Sequence, residues 1–331
     1  MRVDGFWMGL VELSPKVKVA DLARRAGGWA HLREAGPSGW IKLGLTESQA
    51  SRLGKAGPSD SGGQVVTAED PGYPAALASC SNAPPVLFVE GDVQALQAPA
   101  VAVVGTRRCS SYGGAVARDL GYQLANAGVA VVSGLARGID AAAHGGAVAS
   151  GCTIAVLGHG LQHTAPLRNR GLRRQIVNSG GALVTTWPDD VEPRPWTFPV
   201  RNQWIAGLSS HTVVVEAPHR SGAMHTVRAA LDYGRQVAAV PGPIGAPASE
   251  GCNQLIVDGA ISVLSVPDFV GMVTGIQPVR DRWLSALFTG CPLEEVAKLR
   301  GGSVAELIEE LQLLEALGQV VRLPGQRYAT V

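Results

Sequence analysis

Through the middle of the chain, short apolar runs alternate with loops of glycine and small polar residues. Val101 to Val104 lead into Gly105-Thr106-Arg107-Arg108, after which Ser110-Ser111-Tyr112-Gly113-Gly114 open a helical stretch. Val129 to Val132 run into Ser133-Gly134, and Ile154 to Leu157 into Gly158-His159-Gly160. Val213 to Glu216 precede Ser221-Gly222-Ala223, and Val237 to Val240 end in Pro241-Gly242-Pro243. Apolar runs of this length, bounded by glycine and proline, predict strands. Separated by helix-length segments, they predict an α/β fold with a doubly wound, mostly parallel sheet. The polar ends of such strands share one edge, where open α/β folds bind ligands.

The segment from Val129 to His144, VAVVSGLARGIDAAAH, carries the strongest local signal. A strand that ends in small residues and opens into a helix leaves backbone N–H groups facing outward, a cradle for phosphate. Packing alone produces the same joint, and for this segment by itself both readings stand. Its repetition after Val104 and before Ala223 favours the anion reading. No loop matches GxGxxG or GxxxxGK[ST], so neither a dinucleotide pocket nor a P-loop ATPase is indicated.

Composition adds the sign of the ligand. A hydrophobic fraction of 46% and a charged fraction of 17% describe a globular protein with ample core. The net charge of +1 conceals its distribution. Between Pro99 and Ser265 stand thirteen arginines, nine acids and no lysine. The first 70 residues hold nine basic and eight acidic groups, and the stretch from Pro278 onward six and seven. The positive surplus therefore sits with the glycine loops. Arginine's planar fork grips phosphate bidentately and stacks on bases. A GC-rich genome would also favour arginine codons, so placement says more than number. Arg107, Arg108, Arg137 and Arg201 fall in or beside the loops, while Arg168, Arg170, Arg173 and Arg174 follow the third strand.

Cys80, Cys109, Cys152, Cys252 and Cys291 are scattered without a CxxC pair, and the histidines lack ligand spacing. These spacings predict no disulfide framework, no metal and no cofactor, and they fit a reducing cytoplasm. No apolar run approaches the roughly 18 to 20 residues that span a bilayer. A cytoplasmic protein without a membrane span is expected.

Three units are predicted. Residues 1–60 read as a small helical domain of SAM or helix-hairpin-helix type, with Gly-Pro at 36–37 and 57–58 as punctuation. Residues 64–270 form the sheet-bearing core. Residues 280–331 read as a winged helix: a helix over Trp283–Phe288, a second opened by Pro292, and a third over Val304–Leu317 with Ser303 and Glu306 as a capping box. Gly318 ends the third helix, and a hairpin turns at Pro324-Gly325. That third helix carries Glu306, Glu309, Glu310 and Glu315 and no basic residue, the wrong sign for a DNA groove. An interaction or structural module is the better expectation for this unit.

The core closely resembles the DNA-processing protein A family, known as DprA or Smf. The resemblance rests on Tyr73-Pro74, Pro84-Pro85-Val86-Leu87-Phe88, Val104-Gly105-Thr106-Arg107, Ser133-Gly134-Leu135-Ala136 and Gly138-Ile139-Asp140. It continues in Phe198-Pro199 with Arg201-Asn202, Ile205-Ala206-Gly207-Leu208-Ser209, Ser221-Gly222-Ala223 and Gly251-Cys252-Asn253. It implies a Rossmann-like core that binds single-stranded DNA and loads the RecA recombinase in natural transformation. It further implies a homodimer, single-strand-binding protein as a further partner, and no enzymatic activity. Three positions depart from the family pattern: Gln203 stands for an arginine, Ala165-Pro166 for Tyr-Pro, and Thr185-Thr186 for Ser-Glu.

The DNA-binding candidates are Gly105, Thr106, Arg107, Arg108, Ser110, Ser133, Gly134, Arg137, Gly138, Arg201, Asn202, Ser221 and Gly222. Arg107 leads, reaching a phosphate held by the Gly105 and Thr106 amides. For Arg201 a phosphate contact competes with a buried pair to Glu216 or Asp140. Asp140 is read as capping a helix or orienting an arginine, and His144 as structural, since no nucleophile or metal partner accompanies it. Trp187, Trp196, Phe198 and Trp204 cluster near the loops as possible stacking surfaces. A second reading is a nucleotide-hydrolysing relative of the lonely-guy type, against which the absence of Pro-Gly-Gly-x-Gly-Thr near Ser221 argues. A third is a winged-helix regulator of transcription.

Overall fold

The computed structural model describes residues 1–275, 292–316, 320–323 and 327–330. Two compact units divide the chain at Gly275.

The first unit opens with β1 (Arg2–Val3), five short helices and β2 (Ser59–Asp60), which pairs antiparallel with β1. The helices are α1 (Gly5–Leu13), α2 (Val19–Ala26), α3 (Trp29–Glu34), α4 (Gly36–Lys42) and α5 (Glu47–Lys55). Gly36-Pro37 begins α4 instead of interrupting the chain, because proline's fixed φ and missing N–H suit a first helical turn. These helices share a core with sheet residues Val86, Phe88 and Leu183, so the segment packs onto the sheet within the same unit.

The sheet comprises β3 (Gln64–Thr67), β4 (Val86–Gly91), β5 (Ala100–Val104), β6 (Ala130–Ser133), β7 (Thr153–Val156), β8 (Ala182–Thr185), β9 (His211–Val214), β10 (Gln236–Ala239) and β11 (Ile261–Ser262). Their spatial order is β11-β10-β9-β5-β6-β7-β8-β4-β3. Pairing is parallel from β11 through β8 and antiparallel at β4 and β3. All five strands predicted to end in polar loops lie in the parallel part, so those loops do share an edge.

The alternation within β5 explains the layering. Val101 and Val103 face α7 (Ser111–Asn126) and α8 (Ile139–Ala147) through Leu120, Leu124 and Ile139. Ala102 and Val104 face the opposite layer, where Trp204, Ile205 and Val227 are buried. That layer includes α10 (Thr197–Gly207) and α11 (Ala223–Asp232), preceded in the chain by α9 (Arg170–Asn178); the unit also holds α6 (Ala75–Ala78), α12 (Glu250–Val257) and α13 (Val266–Thr274). A strand covered on both faces needs apolar side chains in both phases, which is why it reads as a continuous run.

In the second unit α14 (Leu293–Arg300) and α15 (Val304–Ala316) precede an antiparallel pair, β12 (Val320–Leu323) with β13 (Arg327–Thr330). The Glu306 carboxylate accepts from the Ser303 N–H at 2.8 Å while Ser303 Oγ accepts from the Glu306 N–H, the predicted capping box. Leu307 and Leu311 are buried. The expected helix over 283–288, Gly318, the turn at 324–325 and the side chain of Leu314 lie outside the described residues.

Candidate functional site

Loops from β5, β6 and β9 and the start of α10 enclose a cleft of about 870 Å³ at the carboxyl edge of the sheet. Its lining includes Gly105, Thr106, Arg107, Arg108, Arg137, Arg201, Asn202, Ser221 and Gly222, nine of the thirteen predicted positions. Gly134 borders an adjoining recess that shares Arg107, Arg137 and Arg201 with the cleft. Arg220 and His225 were missed by sequence reasoning, although Arg220 directly precedes the predicted Ser221-Gly222 pair. Arg107, Arg108, Arg137 and Arg220 are exposed, and Asp140 is the one acidic side chain in the lining.

Asp140 is already committed. One of its carboxylate oxygens accepts from the N–H groups of Gly134 (3.1 Å) and Ala136 (3.3 Å). Burial raises its pKa, opposed by the positive charge of Arg201 and by those amide bonds. This corrects the expectation that the 133–138 loop turns its amides outward to a phosphate: an internal carboxylate takes two of them. Leu135 between them has φ +52°, an αL backbone that costs a non-glycine residue roughly 1–2 kcal/mol. The Asn169 amide holds that conformation by donating to the Leu135 and Ala136 carbonyls.

The β5 loop is closed in the same way. The Thr106 N–H donates to the Glu216 carbonyl at 2.7 Å, so it is not free for the phosphate assigned to it from sequence. Ser110 caps α7, with its hydroxyl accepting from the Gly113 N–H at 3.0 Å. The buried Glu216 carboxylate accepts from both the N–H and the hydroxyl of Ser110. The positive end of α7 thus faces a resident anion. A Cβ on Gly113 would come within 2.3 Å of that carboxyl group, so a larger residue would displace the Glu216 side chain from Ser110.

Ser133 is fully buried, donating to the Val103 carbonyl within the sheet, and does not reach the cleft. Gly138 has φ +75° and lets the loop approach β5, since a Cβ there would lie 2.3 Å from the Thr106 oxygen. Ser110, Ser133 and Gly138 therefore build the walls without lining the cavity.

Arg201 and Arg107 flank Phe198, with guanidinium carbons 6.0 and 5.5 Å from the ring centroid. Arg201 is 3% exposed. Its Nη1 donates to the carbonyls of Gly134 (2.7 Å) and Val156, and its Nε to the Asn202 side chain (3.1 Å). No ion pair within 4 Å joins it to Glu216 or Asp140, so the buried pairing that competed with a phosphate contact is made to carbonyls and not to either carboxylate. Burial lowers its pKa to about 10, which leaves it cationic at neutral pH. Asn202 in turn donates to the Gly222 carbonyl at 3.2 Å and ties α10 to the loop before α11.

His144 is buried with Nδ1 2.7 Å from the Thr153 hydroxyl, which itself donates to Val131 O. Burial, and then the charge of Arg201, lower its pKa to about 3. It is an interior side chain, in keeping with the structural role read from the sequence. Trp187 and Trp204 are likewise buried, leaving Phe198 in the cleft and Trp196, 50% exposed, beside it.

Comparison with known proteins identifies the framework. The model of a family described as DNA recombination-mediator protein A matches residues 64–274. The chain belongs to the DprA/Smf family. Protein Smf of Escherichia coli is 38% identical over 283 residues, covering 79% of this chain and 76% of the relative. DNA processing protein DprA of Streptococcus pneumoniae is 42% identical over 197 residues, 59% of this chain and 69% of the relative. The solved structure of DNA processing protein A from that organism superposes with a TM-score of 0.71 at 31% identity, covering 82% of this chain and 98% of that one. The Helicobacter pylori DNA processing protein A, whose structural study concerns its single-stranded DNA binding mode, gives a TM-score of 0.59 at 27% identity, covering 66% and 99%. The cleft lies inside the region that the family model matches.

Proposed function

We propose that the cleft binds single-stranded DNA without sequence preference and that the protein delivers this DNA to the RecA recombinase. The observation that carries the reading is the charge of the lining: four exposed arginines face a cavity whose single acid is buried and engaged by amides. Phosphate contacts of this kind are indifferent to base identity. Phe198 adds a partly exposed ring beneath Arg107, suited to base stacking. The similarity to a DNA processing protein studied for its single-stranded DNA binding mode supports the same ligand.

In this reading Arg107, Arg108, Arg137 and Arg220 contact phosphates, Asn202, Ser221 and Gly222 complete the opposite wall, and Arg201 shapes the floor. The protein works as a cytoplasmic, non-catalytic homodimer, with single-strand-binding protein as a further partner. The second unit acts as a winged-helix interaction module. Among the described residues no helix is long and apolar enough to cross a membrane. The test is a mobility shift against single-stranded, duplex and mononucleotide competitors. Competition by single strands of any sequence is expected. Turnover of a mononucleotide, or sequence-dependent duplex binding, would overturn the proposal in favour of a hydrolase or a transcription regulator.

A further inference from the structure

A second groove, of about 440 Å³, lies between the first helices and the segment that follows β8. Its apolar walls include Pro15, Trp187, Pro188 and Trp196, and Lys16 and Arg52 stand at its margin. A single exposed tryptophan means little by itself. Here three observations converge on one occupant. Trp196 is half exposed and is braced edge-on by buried Trp187, with centroids 5.4 Å apart and planes at 88°, so one indole is fixed beside an open groove. Lys16 and Arg52 are exposed and make no ion pair among the described residues, against one acid of the lining, Glu12. The groove is also continuous with the arginine cleft along the chain: Pro193 and Pro195 line the cleft, and the next residue, Trp196, lines the groove.

We infer that this groove is an accessory nucleobase site, in which a base of the strand leaving the cleft stacks on Trp196 while Lys16 and Arg52 face its phosphates. The inference rests on the proposal that the cleft holds single-stranded DNA. It adds to that proposal a role for the N-terminal helices, which lengthen the footprint. Base–aromatic stacking is tolerant of sequence and substantial per base, so one added base raises affinity without conferring specificity.

The test compares an oligothymidylate of about four to six residues, which fills the cleft alone, with one of about fifteen to twenty, which can reach both sites. Trp196→Ala is expected to weaken binding of the long strand about tenfold and leave the short strand unchanged, with Trp196→Phe recovering most of the loss. Lys16→Ala with Arg52→Ala should lower the salt dependence of the long strand only. Equal effects on both lengths, or none on either, would overturn the inference. So would a change in association state by light scattering with unaltered length dependence, which would make the groove a contact between copies. If the wild-type protein binds neither strand, it is the reading of the cleft that fails.

Discussion

Arg107 and Arg201 approach one phenylalanine ring, yet they do different work. Arg107 follows β5 at the rim of the cleft and is exposed, whereas Arg201 lies on the first turns of α10 and is 3% exposed. The floor arginine spends its donors on the Gly134 and Val156 carbonyls, and its charge faces Asp140. The rim arginine has its donors available to a ligand. The contrast shows how a positive cleft can be both rigid and open: some arginines satisfy the protein, and others are left to solvent.

The most forceful way to break this comparison is Arg201→Ala. It strands two carbonyls and removes the cation facing a buried carboxylate, so a loss of about 3 kcal/mol in urea unfolding is expected. Arg201→Lys should recover only part, because an ammonium cannot reproduce the planar fork. A stable Arg201→Ala variant would show that the floor and the rim are alike.

A smaller effect concerns acid stability. The folded protein holds His144 neutral, with a pKa of about 3, against about 6.5 in the unfolded chain. Below pH 6.5 the unfolded state therefore binds the proton first. The stabilisation is complete above pH 6.5 and declines toward pH 3, by about 2 kcal/mol between pH 7 and 5. Burial lowers the pKa of His159 as well, which acts in the same direction, while the raised pKa of Asp140 opposes it at the acid end. His144→Gln should flatten the pH dependence of the unfolding midpoint over this window, and an unchanged slope would remove His144 from the account.

The smallest effect on the fold, and the sharpest on binding, belongs to Arg107→Ala. Loss of one phosphate contact should weaken all single-stranded sequences alike, by about tenfold, and reduce the salt slope by roughly 0.7. Unfolding should be unaffected. Binding that falls for some sequences and not others would instead make Arg107 a base-reading residue.

Much of this was legible in the chain. Period and length placed the parallel strands, since Val101 to Val104 can satisfy a sheet covered on both faces and little else. The glycine positions were visible but not their reason: Gly138, read as a DNA contact, admits the Thr106 carbonyl, and Gly113 admits the Glu216 carboxyl group. The loop arginines marked the lining of the cleft. What spacing could not convey was which polar groups are already partnered. Asp140 takes the amides of Gly134 and Ala136, Glu216 takes Ser110 from 106 positions away, and the Val156 carbonyl claims Arg201. The helix start at Ile139 and the arginine at 201 were written in the sequence. Their availability to a ligand was decided by tertiary structure alone, because buried polar groups pair with partners near in space, whatever the distance along the chain.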